Sequence, residues 1–206
     1  MASARPKIDV HPHGNYVHTQ GGPSRKHQDQ TPQAKLQRMK ARFQRHGTIR
    51  SVEGVMLVHM HGHPHVLLLE TTIGTASVFR LPGGKCRGDE DEVQCLVRKL
   101  HKKVFGRVED DAAAEPPFRV GELLATWCRP NFDPLMYPYK PAHVTTEKES
   151  RSLYTAHLDP EATMRIPSEY GLVAVPLFEL FDNAARFGAV IAGLPHNVSR
   201  LHVNLC

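Results

Sequence analysis

The chain has 206 residues, four cysteines and a formal net charge of +5 with its histidines neutral. That length suits one domain with a sizeable core, and the mild basic excess favours a polyanionic partner. Cys86, Cys95, Cys128 and Cys206 form no C-x-x-C pair, no apolar run approaches a membrane span, and the opening MASARPKIDVHPHGN lacks the apolar centre of a signal peptide.

Residues 1–33 are rich in Pro, Gly, His, Gln and Ser, and are expected to be a flexible tail ahead of a domain over 34–206. Thr31 and Pro32 mark a helix start. The run that follows has a narrow apolar stripe of Leu36, Met39 and Phe43 among Lys35, Arg38, Lys40, Arg42 and Arg45. Composition favours a solvated basic face over a phosphate-facing one. Ser51–His59 and His65–Glu70 read as two strands of a hairpin turned by Gly62 and Pro64. His59, His61, His63 and His65 alternate there. The turn breaks the alternation and no cysteine or carboxylate is near, so they are read as structural or solvent-facing rather than as metal ligands.

A third strand, Ser77–Leu81, feeds a Pro-Gly-Gly turn and then the stretch CRGDEDEVQCLVRKLHKKVFG. Val93, Leu96, Val97, Leu100 and Val104 have helical spacing and predict one buried stripe. Asp89 is the expected cap, Glu90, Asp91 and Glu92 load the first turn, Lys99, Lys102 and Lys103 the last, and Gly106 ends the helix. Arg107–Pro117 is expected to be a surface loop, Phe118–Trp127 a strand, and RPNFDPLMYPYKPAHV an ordered, packed loop or a binding surface. Ser152–His157 and Leu172–Pro176 read as strands, 177–184 as a short helix, and a last helix runs from Ala184 or Phe187 to Gly193, with a further turn near 198–201. Strands alternating with helices predict an α/β sandwich.

The loop and helix resemble the Nudix box, G-x5-E-x7-R-E-U-x-E-E-x-G-U, with Gly84, Glu90 and Arg98 on its first three fixed positions. The resemblance implies the Nudix α/β/α fold with a mixed sheet. In Nudix hydrolases the carboxylates of R-E-U-x-E-E hold magnesium. Here those positions are Lys99, Lys102 and Lys103, and the glycine arrives one residue late, at Gly106. Three ammonium groups repel a hard cation that needs oxygen ligands, so no metal, cofactor or hydrolase activity is expected. A nucleotide pyrophosphohydrolase remains the rival enzyme reading, with only Glu90 and Glu92 to support it.

LQRM (36–39), SVEGV (51–55), HVLLL (65–69), LPGG (81–84), EDEV (90–93), RPNF (129–132), YPYKPAH (137–143) and VPLFELFDNA (175–184) stand in order. Together they resemble the family of 25 kDa subunits of pre-mRNA cleavage factor I, over roughly 34–206. The resemblance implies a nuclear, non-catalytic homodimer that binds UGUA elements in pre-mRNA and a larger subunit with an RNA-recognition motif. Carried over position by position, it implies RNA contacts at Lys35, Glu53, Ser77, Val78, Phe79, Leu81, Phe187 and Gly188. Lys35 stands where the family has arginine, Val78 is the nearest match to a stacking phenylalanine, and the acidic residue of the N-terminal arm falls near His27. Tyr137 and Tyr139 are expected to meet the larger subunit. Excess apolar residues in 189–205 join the resemblance in favouring a dimer. A scaffold that has lost RNA binding is the remaining alternative.

Overall fold

The computed structural model describes residues 5–23, 31–106 and 115–206. Its strands are β1 (Lys7–Val10), β2 (His18–Gly21), β3 (Ile49–Val55), β4 (Leu57–Met60), β5 (His63–Ile73), β6 (Ala76–Arg80), β7 (Gly83–Lys85), β8 (Phe118–Arg129), β9 (Glu149–Leu158), β10 (Met164–Pro167), β11 (Gly171–Pro176) and β12 (His202–Leu205). Two longer helices, α1 (Pro32–His46) and α2 (Glu92–Lys103), are joined by four short ones: α3 (Leu177–Leu180), α4 (Ala184–Phe187), α5 (Ala189–Ala192) and α6 (Leu194–Val198).

Two four-stranded sheets form the centre. One has the order β7-β3-β9-β8, the other β11-β5-β4 with β6 also on β5. β5 shows why its sequence is an unbroken apolar run. Leu67 and Leu69 enter one core with Leu96 and Leu100 of α2, while Val66 and Leu68 enter a second core with Leu180, Phe187 and Leu194 from α3 to α6. A strand buried on both faces has no polar side to show. The expected single strand Ser51–His59 is in fact two. β3 pairs with β9 and β7, whereas β4 pairs with β5, so the chain changes sheets at the fully buried Met56. The hairpin turn is His61-Gly62, both at positive φ, and Pro64 lies within β5 opposite His59. That is the backbone a two-residue primed turn requires.

The expected tail is corrected for its described part. β1 pairs in parallel with β12, and Ile8 and Val10 are buried in the second core. β2 pairs with β10, and Tyr16 is buried in the first core. The alternation of Lys7, Ile8, Asp9 and Val10 is a half-buried strand signal hidden in a polar composition. His27 and residues 107–114 lie outside the described residues.

Candidate functional site

The box loop is built by a close approach. β7 runs beside β3 with Gly83 opposite Glu53 and Gly84 opposite Val52. A Cβ at Gly83 would stand 2.1 Å from the Val52 carbonyl oxygen and 2.6 Å from Glu53 Cα, so only glycine fits. At Gly84 the nearest group is the Lys99 side chain, whose Cε would be 3.3 Å from an added Cβ. Burial first, and then neighbouring Arg98, push the Lys99 ammonium below its ordinary range.

α2 itself is capped by Asp91, not Asp89: its carboxylate accepts from the backbone N–H groups of Val93 (2.9 Å) and Gln94 (3.2 Å). The buried stripe is also rotated. Cys95, Leu96, Leu100 and Val104 are fully buried, Val97 is partly buried, and Val93 is 40% exposed. Glu90 stays in the loop, where the Arg98 fork grips both its oxygens, Nε at 2.7 Å and Nη2 at 2.5 Å. The Arg98 hydrogen bond holds the Glu90 carboxyl down at about 2. Cys86, Glu90 and Cys95 bring one possible ligand atom each within 4.8 Å of one another. Arg98 already occupies both Glu90 oxygens and reaches Cys95 Sγ at 3.6 Å, so a guanidinium sits where a cation would have to enter. Burial and the neighbouring Cys86 raise the Cys95 thiol to about 12, which keeps it protonated. The lysines at the hydrolase metal positions and this occupied carboxylate do not fit a magnesium ion.

The opposite face of β3 carries a different arrangement. Gly54 packs on Leu96 and Leu100 of α2, so Ser51 and Glu53 point the other way by the alternation of the strand. Arg151 of β9 lies opposite Ser51 and places Nη1 3.3 Å from Glu53 and Nη2 3.0 Å from Glu149. Ser51 Oγ donates to Glu149 at 2.7 Å, and Arg129 of β8 donates to its other oxygen at 2.9 Å. Burial alone would raise Glu149, but Arg151, Ser51 and Arg129 outweigh it and hold the carboxyl at about 2. Glu53 goes the other way. Burial raises it, and the attractions of Arg151, Lys103 and Arg80 do not offset that. Arg151 Nε and, opposite it on β8, Trp127 Nε1 are buried without a hydrogen-bond partner among the described residues, which leaves two donors for an oxygen acceptor.

Beside this network stands an aromatic group. Phe79 of β6 and Phe187 of α4 pack with ring centroids 4.9 Å apart. Phe187 and Leu81 are buried in the second core, and Phe79 is half-buried against it. Gly188 follows at φ 80° with open space beside it. Among the described residues β6 pairs only with β5, so alternate backbone groups on its outer edge make no sheet bonds there. Thus Phe79, Leu81, Phe187 and Gly188 come together, with Ser77 exposed on the same side of the strand. Val78 is the exception. It alternates with Phe79 and lies on the other face of β6, opposite Thr71, so it cannot share a stacking surface with Phe187. Lys35 sits on the first turn of α1, eight residues before Phe43, whose ring meets Phe132 edge-on at 5.8 Å.

Tyr137 forms a two-bond bridge with Cys128, at 2.7 and 2.8 Å, and its ring lies 5.8 Å from that of Tyr139, which is 59% exposed. The apolar residues near the end of the chain are mostly used internally: Ile191, Leu194, Val198 and Leu201 are buried. Among the exposed apolar residues, Phe178 and Phe181 of the α3 region flank a groove of about 490 Å³ lined also by Leu177, Pro195, Val198 and Val203. Among the described residues no helix is long and apolar enough to cross a membrane.

A family model, NUDIX_2, described as nucleotide hydrolase, matches residues 6–201. The chain is 42% identical over 198 residues to the Pre-mRNA cleavage factor Im 25 kDa subunit 2 of Arabidopsis thaliana, covering 96% of each chain. It belongs to the cleavage factor Im 25 kDa subunit family. The Cleavage and polyadenylation specificity factor subunit 5 of Dictyostelium discoideum is 37% identical over 188 residues, 90% of each chain. A second Arabidopsis thaliana relative, Pre-mRNA cleavage factor Im 25 kDa subunit 1, is 35% identical over 168 residues, 82% of this chain and 73% of its own. The fold is the Nudix α/β/α sandwich, with α2 on one side of the mixed sheets and α3 to α6 on the other.

Arg151, Glu149, Arg129 and Ser51 escaped the reading of the sequence. The signal was there in part: Ser51 and Glu53 alternate with the buried Val52 and Gly54 of the strand, and Glu149 and Arg151 repeat that spacing. Nothing in the sequence paired the two strands.

Proposed function

We propose that this chain is a non-catalytic, RNA-binding subunit of the pre-mRNA cleavage and polyadenylation machinery, working in the nucleus as a homodimer. The observation that carries the reading is a box helix with Lys99, Lys102 and Lys103 at the metal positions, in a chain whose relatives are named as cleavage factor subunits. RNA is placed on the face of Glu53, Phe79, Leu81, Phe187 and Gly188. There Arg151 supplies positive charge beside Glu53, and the β6 edge supplies backbone donors and acceptors for base edges. The Phe178–Phe181 groove suits a second copy, and the exposed Tyr139 beside Tyr137 suits the larger subunit with its RNA-recognition motif.

Two measurements test it. Magnesium or manganese with dinucleoside polyphosphates should give no turnover above that of Glu90→Gln, and turnover lost in that variant would return the chain to the hydrolases. In anisotropy titrations at two salt concentrations, labelled UGUA and UAUA RNAs should both bind, with weak preference between them. Lysine at position 35 is a point charge where arginine would grip guanine with a fork. Lys35→Arg should sharpen the preference for UGUA. If the parent already discriminates a hundredfold and Lys35→Arg adds nothing, guanine is read elsewhere. A scaffold that binds no RNA is the second reading, favoured by Val78 facing away from Phe79; absence of binding to either RNA would select it.

A further inference from the structure

We propose that Arg186 is an RNA-binding residue, its guanidinium plane being the surface on which a base of single-stranded RNA stacks. This rests on the RNA-binding reading above and names the group that supplies its stacking.

Three planar groups meet at the β6–α4 face. The Phe79 and Phe187 rings lie 4.9 Å apart, tilted by 49°. The Arg186 guanidinium lies over both, its Cζ 5.4 Å from the Phe79 centroid and 4.9 Å from that of Phe187. Exposure decides which of the three a ligand can meet. Phe187 is 5% exposed and Phe79 is half-buried, whereas the Arg186 side chain is 55% exposed. The outermost plane is therefore the guanidinium, and the two rings are its backing. A guanidinium is flat, delocalised and weakly hydrated, so it stacks on a base as a ring does while adding charge.

The plane is also held in place. Arg186 Nη1 donates to Glu179 of α3, so the side chain is oriented before a ligand arrives. Next in the chain after Phe187 is Gly188, with open space where a Cβ would be, which leaves the backbone accessible beside the platform. Elsewhere on the sheet, Arg151, Lys103 and Arg80 lie within electrostatic reach of Glu53, so the molecule carries further positive charge near the proposed RNA path. The arrangement also accounts for a stacking function with Val78 turned to the other face of β6. An acidic protein segment would pair with the edge of the guanidinium and leave its open face uncovered, whereas a base covers that face.

The test is anisotropy with fluorescein-labelled single-stranded RNA containing UGUA, and with a series in which each nucleotide in turn is abasic. The full chain is used throughout, with thermal melts recorded for every variant. Arg186→Ala should weaken binding roughly 5- to 150-fold, the range of one lost base stack. Arg186→Lys, which keeps the charge, should restore the salt dependence but not the affinity. Lys7→Ala, an equal loss of charge on β1, should stay within about twofold of the parent. With one abasic RNA, Arg186→Ala should cause no further loss, which identifies the stacked base. Full affinity in Arg186→Lys would make the residue a phosphate contact and overturn the proposal. So would binding within twofold in a folded Arg186→Ala, while leaving the RNA-binding reading intact. Unchanged RNA affinity with loss of self-association in light scattering would assign the plane to a protein interface and overturn it too. A parent that binds none of the RNAs would sink both this and the reading beneath it.

Discussion

Two glutamates on either side of one strand pair have opposite fates. Glu90, beside α2, is gripped by the Arg98 fork and held at about 2. Glu53, on the other face of β3, is pushed up by burial more than Arg151, Lys103 and Arg80 pull it down. In the sequence both are motif glutamates of equal standing. In the fold one is a strut whose charge is spent within the loop, and the other is a half-buried carboxyl whose charge is incompletely met. Incompletely compensated groups gather at functional sites, and compensated ones hold shape. On this comparison the box side of the sheet holds shape, and the Glu53 side is where the proposed RNA contacts are placed.

The comparison can be broken most severely where the two sides touch. Gly83→Ala would drive a methyl group into the β3 backbone at Val52 and Glu53, and should cost more than about 4 kcal/mol, leaving little folded protein by circular dichroism. Next comes the network beneath Glu53. Glu149→Ala strips Arg129 and Arg151 of their shared buried carboxylate and should cost about 3–5 kcal/mol in urea unfolding. The matching Glu90→Ala should cost less, about 1.5–3 kcal/mol, because Glu90 meets one arginine where Glu149 meets two, and its side chain is 16% exposed against 6% for Glu149. Equal losses would remove the distinction between strut and network.

Acid separates the sides further. Glu149 and Glu90 are both held near 2, below the ordinary 4.5, so each contributes stability that is present above about pH 4.5 and lost as pH falls through the folded value near 2. Glu53, raised in the fold, has the opposite sign: it favours the folded state more as pH falls through its raised value. The urea midpoint should therefore decline below pH 4.5 in the parent, and Glu149→Gln should flatten much of that decline. The smallest effect sharpens the account of α2. Val93→Ala should change stability by no more than about 0.5 kcal/mol, whereas Leu96→Ala should cost about 2–5 kcal/mol. A large loss at Val93 would restore the stripe expected from spacing alone.

Much of the scaffold was legible because local rules were strong. The cap at Thr31, the buried run of β5, and the glycine turn into α2 each follow from a few adjacent residues. What failed was long-range. The apolar run through Met56 carries no mark of a change of sheet, since a residue buried between two sheets looks like one inside a strand. The rotation of the α2 stripe toward Cys95 was hidden because a buried cysteine packs as a small hydrophobe and was not counted as one. In the candidate site, Phe79 with Phe187 was reached through resemblance. Arg186 and Arg151 depend on which elements the fold sets side by side, which no spacing reports.

The ladder between β1 and β12 has a consequence for how the molecule is made. Asn204 hydrogen-bonds Asp9 across 195 positions of the chain, and Ile8 and Val10 find their second-core neighbours in the same region. A ribosome adding about 5–20 residues per second needs roughly 10–40 s to synthesise that separation. For that interval Ile8 and Val10 have no partner strand. The alternating Lys7, Asp9 and His11 then serve the nascent chain as much as the finished one, keeping an unpaired strand soluble until its complement emerges.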